Sequence, residues 1–155
     1  MMIDVGGIAP DIRFETADGG EARLSDYRGR PLVLYFYPKD DTAGCTREAQ
    51  DFTALADEFA KAGTAVIGIS KDPPKKHRAF SAKYDLTVDL VTDADGSACE
   101  AFGVWGERTL YGRKYMGIER ATFLIDAGGR IVRSWRQVKV PGHAEEVLAA
   151  ARSLA

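Results

Sequence analysis

Three residues in the first third of the chain have the types and spacing of a reactive thiol site. Pro38, Thr42 and Cys45 form the pattern PxxxTxxC between an apolar run and an amphipathic helical pattern. A cysteine in the first turn of a helix lies near free backbone N–H groups and the positive end of the helix dipole. Both favour the thiolate, which is the nucleophilic form. Thr42 can donate its hydroxyl to the thiolate or to a bound oxygen, and Pro38 can limit the access of water.

A cysteine can also be a small buried hydrophobic residue, and most free cysteines are. The elements around Cys45 favour the reactive alternative. Residues 32–38, LVLYFYP, are apolar at successive positions, as in a strand covered on both faces. Residues 45–62 have apolar side chains at i, i+3, i+4 and i+7 and end before Gly63, which predicts one helix. Sites in open α/β sheets form at the edge where such strands end.

Strands and helices alternate along the rest of the chain. The patterns predict a hairpin at residues 12–24, strands at 64–70 and 89–92, helices from 73–74 and at 97–102, a hairpin at 121–135 and a helix at 142–154. No element is predicted for residues 104–120. The predicted fold class is α/β, with a mixed central sheet, helices on both faces and an N-terminal hairpin. This order is compatible with a thioredoxin-like fold.

Length and charge limit the class of protein. The 155 residues fit one domain, and the net charge of −2 gives no electrostatic reason to expect nucleic acid or an anionic membrane as partner. No apolar run is long enough to span a bilayer. Residues 1–11 lack the basic and apolar regions of a signal peptide. We therefore expect residues 1–155 to form one domain in the cytoplasm.

The chain has two cysteines and two histidines. Two cysteines are too few for a disulfide scaffold, and a reducing compartment keeps them as thiols. The absence of a CxxC motif argues against a structural zinc site. Neither His77 nor His143 is assigned a role, and the basic cluster at residues 75–78 is predicted to be a solvated helix face.

The PxxxTxxC pattern resembles the active-site signature of the peroxiredoxins. The longer string TAGCTREA is similar to the TPGCTxEA of the bacterioferritin comigratory protein group, also called peroxiredoxin Q. The segments LSDYRGRPLVLYFYPKD, VIGISKD and YGRKYMGIERATFLID match that group in order, so the resemblance covers nearly the whole chain. It implies a thioredoxin-like fold with an N-terminal extension.

The resemblance also implies roles for residues beyond the signature. A catalytic arginine precedes the TFLID-like strand in the family, and the matching residue here is Arg120. Its guanidinium is expected to hold the thiolate and polarise the peroxide. From the sequence alone, Arg120 is also compatible with a surface residue at a strand start. Glu48 is expected to orient Arg120, or else to be a solvated acid in the first helical turn. Gly44 is a further supporting residue.

The chain departs from the family at the positions that resolve the oxidised cysteine. Gln50 and Ser81 occupy the two places where relatives carry a resolving cysteine, and Ala43 replaces a proline. Cys99 remains as a resolving candidate. Nothing in the sequence brings Cys99 within the distance of about 7 Å that a disulfide needs between Cα atoms, so it is predicted to be a packed structural thiol.

The predicted function is a thiol-dependent peroxidase with a one-cysteine cycle. Cys45 attacks hydrogen peroxide or an organic hydroperoxide, and an external thiol such as thioredoxin, glutaredoxin or a small thiol reduces the sulfenic acid. No metal, haem or flavin cofactor is expected, and the chain is expected to be a monomer. A thioredoxin-like disulfide reductase is a second possibility, which the missing CxxC disfavours. A redox-sensing module is the non-enzymatic alternative.

Overall fold

The computed structural model describes residues 5–154. Its nine strands are β1 Arg13–Glu15, β2 Glu21–Arg23, β3 Leu32–Phe36, β4 Ala65–Ser70, β5 Asp89–Thr92, β6 Trp105–Leu110, β7 Arg113–Ile118, β8 Ala121–Ile125 and β9 Ile131–Trp135. Its five α-helices are α1 Ala43–Ala54, α2 Ala56–Lys61, α3 Pro74–Tyr84, α4 Ser97–Ala101 and α5 His143–Arg152. Within residues 5–154, the helices are too short or too polar to cross a membrane.

Seven strands form one mixed sheet in the order β2-β1-β5-β4-β3-β8-β9. The central strand β3 pairs in parallel with β4, as β4 does with β5, and β3 pairs antiparallel with β8. The N-terminal hairpin of β1 and β2 joins the sheet through β5. The predicted mixed sheet, its flanking helices and the N-terminal hairpin are confirmed.

The two faces of the sheet are covered by separate apolar clusters because side chains alternate along β3. Leu34 and Phe36 belong to one cluster, to which α4 contributes. Val33 and Tyr35 belong to the other, to which α1, α2, α3 and α5 contribute. All five residues of β3 are buried, which agrees with the uninterrupted apolar run in its sequence.

The prediction of a single helix at residues 45–62 is wrong, because the chain forms two helices that are separated at Leu55. The Leu55 N–H donates to the carbonyl of Phe52 at 3.2 Å, three residues back, and this bond closes α1. The periodic pattern continues across the break because Phe52 and Phe59 are buried in the same cluster. Gly63 follows α2 with a φ of 67°, as predicted for a residue that ends a helix.

Strands β6 and β7 form a separate two-stranded hairpin that the sequence patterns did not predict. Most of its side chains are partly or fully exposed, so its strands lack an alternating apolar pattern. At its base, Trp105 packs under the ammonium group of Lys71, 4.4 Å from the ring centroid. The hairpin leads through Glu119 directly to Arg120 and the start of β8.

Candidate active site

Cys45 is the third residue of α1 and lies at the end of the sheet where β3 stops. Thr42 is the N-cap residue of α1, with φ −101° and ψ 155°, and its carbonyl accepts the first helical hydrogen bond from Thr46 N–H at 2.8 Å. The N–H groups of residues 43–45 therefore precede the first helical bond, where a helix favours negative charge. The Cys45 side chain is only 2% exposed, so its sulfur lies in a largely dry environment.

The pairing of β3 with β8 brings Arg120 to this cysteine. Phe36, the last residue of β3, pairs with Ala121, the first residue of β8, so the residue before β8 lies beside the loop after β3. Arg120 Nη2 donates to Cys45 Sγ at 3.3 Å. Arg120 is thus not a free surface residue. Its guanidinium lies at hydrogen-bond distance from the sulfur, where a fixed cationic donor can stabilise negative charge on a reacting atom.

Glu48 holds the other end of the same guanidinium. Arg120 Nη1 donates to Glu48 Oε1 at 2.5 Å, and Glu48 lies three residues after Cys45 on the same face of α1. Its side chain is buried, so the solvated first-turn alternative is wrong. Burial raises the pKa of Glu48 to about 7, although the charge of Arg120 and its hydrogen bond act in the opposite direction. The Glu48 carboxylate can therefore fix the direction in which Arg120 faces Cys45.

Thr42 and Pro38 differ from this pair in their geometry. The Thr42 hydroxyl donates to the carbonyl of Lys39 at 2.8 Å, which closes the loop before α1. In this conformation its proton faces Lys39, and donation to sulfur or peroxide requires rotation of the hydroxyl. Pro38 is exposed at the bend that follows β3. The roles of these two residues stay predictions.

A buried polar cluster connects the loop before α1 to helix α3. His77 Nδ1 lies 2.6 Å from Asp40 Oδ2, Tyr37 Oη donates to Asp40 Oδ1 at 2.6 Å, and His77 Nε2 lies 2.9 Å from the Val91 carbonyl. The backbone N–H of Asp40 donates to Asp72 at 2.8 Å. The prediction of a solvated helix face at residues 75–78 is therefore wrong for His77, which is fully buried. The partners that surround His77 lie far from it in sequence, so no local pattern indicated that it is buried.

The next loop residue is also held by α3. Asp41 has a φ of 59°, which non-glycine residues rarely adopt. Its carboxylate accepts from Lys83 Nζ at 2.8 Å and from Tyr84 Oη at 2.7 Å. These hydrogen bonds lower the pKa of Asp41. Consecutive loop residues are thus fixed to one helix, which restricts the path of the chain into Cys45.

Cys99 is remote from this arrangement. It is completely buried on α4 in the cluster on the opposite face of the sheet from Cys45. The backbone N–H of Cys99 donates to the carboxylate of Asp93 at 2.9 Å. Burial is the main cause that raises the pKa of the Cys99 thiol strongly, and the hydrogen bond and negative charge of the neighbouring Asp93 raise it further. Such a thiol is a weak nucleophile.

Comparison with known proteins places this geometry in a family. Residues 5–134 match the AhpC/TSA family. The chain belongs to this family. It is 46% identical over 148 residues to peroxiredoxin Bcp of Bacillus subtilis, a match that covers 96% of this chain and 94% of that protein. The resemblance that the PxxxTxxC motif suggested is confirmed, and the chain is a peroxiredoxin, an enzyme that uses a thiol to reduce a peroxide.

Two solved structures are similar over nearly the whole of this peroxiredoxin. A cysteine-to-serine variant of PrxQ from Xylella fastidiosa has a TM-score of 0.92 and 42% identity, covering 99% of this chain and 98% of that one. The bacterioferritin comigratory protein of Xanthomonas campestris, described with its alkyl peroxide reduction activity, has a TM-score of 0.86 and 46% identity, covering 92% and 90%. The thioredoxin-like peroxiredoxin fold is confirmed.

Gly44 lies against the Arg120 guanidinium, and an alanine there tests how closely this group must be placed. A Cβ at position 44 would lie 3.1 Å from Arg120 Nη2, so the guanidinium must shift by a few tenths of an ångström. We expect Gly44→Ala to slow peroxide reduction by roughly three- to tenfold. Since alanine favours a helix over glycine by about 0.5–1 kcal/mol, stability should not fall.

Stopped-flow oxidation and thermal unfolding of the same sample measure both effects of Gly44→Ala. Ala43→Ser is the matched control, because it adds one atom to an exposed residue of the same turn. An alanine at position 44 that leaves the oxidation rate unchanged would mean that the position of Arg120 tolerates this shift.

Proposed function

We propose that this peroxiredoxin reduces hydrogen peroxide and organic hydroperoxides at Cys45. The observation that carries the proposal is the Arg120 guanidinium, 3.3 Å from Cys45 Sγ and held from its other side by the buried Glu48. The thiolate attacks the terminal peroxide oxygen, a sulfur–oxygen bond forms and the oxygen–oxygen bond breaks. Cys45 becomes a sulfenic acid, and the leaving alkoxide or hydroxide takes a proton to form an alcohol or water.

Arg120 and the first turn of α1 have complementary parts in this step. Negative charge passes from sulfur to the leaving oxygen as the bonds change. The guanidinium has several N–H donors in a fixed plane, so it can contact both the sulfur and an incoming oxygen. The N–H groups at the start of α1 add a second set of fixed donors. The Thr42 hydroxyl is proposed as a further donor, and Pro38 as a limit on the access of water.

An external thiol completes the cycle in our proposal. The first thiol attacks the Cys45 sulfenic acid, forming a mixed disulfide and releasing water, and a second thiol then releases Cys45 as a free thiol. Thioredoxin, glutaredoxin and small thiols are the candidate reductants. The two external thiols leave joined as a disulfide and supply the two electrons that the peroxide takes, so the cycle needs no metal or organic cofactor.

A one-cysteine cycle is supported by the position of Cys99. The sulfur atoms of a disulfide require Cβ atoms roughly 3.5–4.5 Å apart. Cys45 and Cys99 lie in clusters on opposite faces of the central sheet, so a bridge between them needs a large rearrangement. Gln50 and Ser81 leave the familiar resolving positions without a thiol.

We therefore expect one equivalent of peroxide to leave a sulfenic acid on Cys45 and no Cys45–Cys99 bridge. Dimedone should trap this species, and excess peroxide should convert it to a sulfinic acid. Cys99→Ser should retain near-normal turnover with the best reductant. Intact-mass measurement and peptide mapping of the oxidised protein test this prediction.

One result would contradict the proposed one-cysteine cycle. A loss of about two hydrogens in mass, with a peptide that links Cys45 to Cys99, would indicate an internal disulfide. If Cys99→Ser also loses turnover, the enzyme has a two-cysteine cycle and the recycling proposal is wrong. Cys45 would keep its proposed role as the residue that attacks the peroxide.

Peroxide consumption with several reductants in parallel tests the whole function. Steady turnover with hydrogen peroxide supports an enzyme, whereas a single equivalent consumed with every reductant supports a redox-sensing module. An alkyl hydroperoxide belongs in the same series, because the Xanthomonas relative is described by its alkyl peroxide reduction activity. Comparable rates for both substrates would support the breadth of the proposal.

We further propose that residues 1–155 act as one domain, as a monomer in the cytoplasm, without nucleic acid or membrane as partner. The sheet that runs from β2 to β9 includes strands from both ends of the chain, which supports one domain. The two cysteines lie on opposite faces of the sheet, so the fold does not depend on a disulfide between them, as expected for a protein of a reducing compartment. Sedimentation of the reduced and oxidised protein tests the monomer.

A further inference from the structure

A buried carboxylate lies immediately before Arg120 in the chain and binds partners other than Arg120 and Cys45. Glu119 is 8% exposed. Arg136 grips it in a bidentate arrangement, with Nε at 2.8 Å and Nη2 at 3.0 Å from its two oxygens. Arg108 of β6 approaches the same carboxylate at 3.9 Å. The hydrogen bond from Arg136 is the main cause that lowers the pKa of Glu119, so the group is held as an anion.

The backbone around Glu119 and Arg120 is fixed by the same neighbours. The N–H of Gln137 donates to Glu119 Oε2 at 2.9 Å, and the N–H of Val138 donates to the Arg120 carbonyl at 2.9 Å. On the other side, the Glu119 N–H donates to the Val104 carbonyl at 2.7 Å. The chain therefore has hydrogen bonds on both sides of the residue that reaches Cys45.

Gln137 shows that this arrangement overrides local backbone preference. Its φ is 47°, a conformation that non-glycine residues rarely adopt. Strained backbone persists only where the surrounding structure holds it, and it is frequent at functional sites. Here the two N–H groups after Arg136 point at Glu119 and at the Arg120 carbonyl. The strained conformation of Gln137 therefore allows this turn to hold the backbone of Arg120 in place through hydrogen bonds.

We propose that Glu119 and Arg136 are positioning residues for Arg120. The ion pair holds the turn at residues 136–138 against residues 119–120. This contact fixes the backbone position from which the Arg120 side chain extends toward Cys45. Glu48 then sets the direction of the guanidinium at its far end. The inference rests on the role proposed for Arg120, because a positioning residue has an effect only through the group that it positions.

Glu119→Ala tests the proposal by the rate at which peroxide oxidises Cys45 in a single turnover. We expect a decrease of about 10- to 100-fold, since small displacements of a reacting group have effects of this size. The thiolate absorbance of Cys45 should also fall. Glu58→Ala is the matched control: it removes another arginine–glutamate pair, with 2.5 Å between Arg152 and Glu58, that lies away from Cys45.

The same substitution in an Arg120→Ala background distinguishes positioning from general stability. If Glu119 acts through Arg120, Glu119→Ala should change the already slow rate by less than about twofold. An equal loss in both backgrounds, or no loss beside wild type, overturns the proposal. An unchanged rate for Arg120→Ala alone would instead overturn the role given to Arg120 itself.

Arg136→Met keeps the test decisive if Glu119→Ala does not fold. The Arg136 side chain is 39% exposed, and methionine retains its apolar stem while removing both hydrogen bonds to Glu119. We expect the same direction of change as for Glu119→Ala, with a smaller decrease in rate. A folded Arg136→Met with wild-type oxidation rate and thiolate absorbance would overturn the proposal.

Discussion

Cys45→Ser is expected to abolish peroxide reduction while the protein stays folded. Serine has nearly the same shape as cysteine, but its hydroxyl is far less acidic and does not form the nucleophile that attacks peroxide. We expect turnover to fall by at least ~10³-fold, to the background of the assay. Peroxide consumption with the best reductant measures the loss, and circular dichroism with thermal unfolding checks the fold.

The control for this result is Cys99→Ser, which removes the other thiol from the opposite face of the sheet. It should leave the first oxidation unchanged. Retained turnover in Cys45→Ser, in a sample free of contaminating peroxidase, would remove Cys45 from the mechanism. The family membership would then stand without an identified nucleophile.

Arg120→Ala is expected to slow the oxidation of Cys45 by about 10²- to 10³-fold, the range found when fixed donors are removed from an active site. The substitution removes the positive charge and the donor 3.3 Å from Cys45 Sγ. The thiolate fraction at a given pH should fall as well. Stopped-flow oxidation and ultraviolet absorbance of the thiolate measure these two effects.

Arg120→Lys separates charge from shape. Lysine keeps the positive charge but lacks the planar set of donors that contacts Cys45 and Glu48 together. We expect a rate between those of wild type and Arg120→Ala. A wild-type rate for Arg120→Ala would mean that the observed contact with sulfur has no part in the reaction.

Arg120→Ala should also change how stability depends on pH. Burial raises the pKa of Glu48 to about 7, above its ordinary value, so this carboxyl favours the folded state most at low pH and loses that contribution as pH rises through about 7. Arg120 opposes the shift, and its removal should raise the pKa of Glu48 further. The Tm of Arg120→Ala should therefore fall more than that of wild type between about pH 5 and about pH 8.

Local patterns predicted the parts of the fold that depend on neighbours in sequence. The apolar run before Cys45 and the helical spacing after it predicted the strand and the helix that present the thiol. The break between α1 and α2 at Leu55 was not predicted, because the apolar positions of both helices pack in one cluster and keep the same spacing. The β6–β7 hairpin was not predicted, because its mostly exposed strands lack the alternation of apolar and polar side chains that marks a strand.

The partners of the site depend on contacts between distant parts of the chain. Spacing alone left Arg120 as a surface candidate, and only the family resemblance identified it. His77 and Asp40 are 37 residues apart, so their buried contact has no local signature. Glu119 and Arg136 are 17 residues apart, and the strained residue that follows Arg136 is Gln137 rather than a glycine that would mark the conformation.

The register of β3 and β8 has a consequence for the time at which the thiol gains its full reactivity. Arg120 follows Cys45 by 75 residues and reaches it only after Ala121 has paired with Phe36. A chain emerging from the ribosome exposes Cys45 well before it contains β8. Pairing between strands so far apart in sequence carries a large loop-closure cost and forms slowly. The nascent thiol therefore lacks its guanidinium during synthesis. If Arg120 activates Cys45 as proposed, full sensitivity to oxidants arises together with the completed sheet.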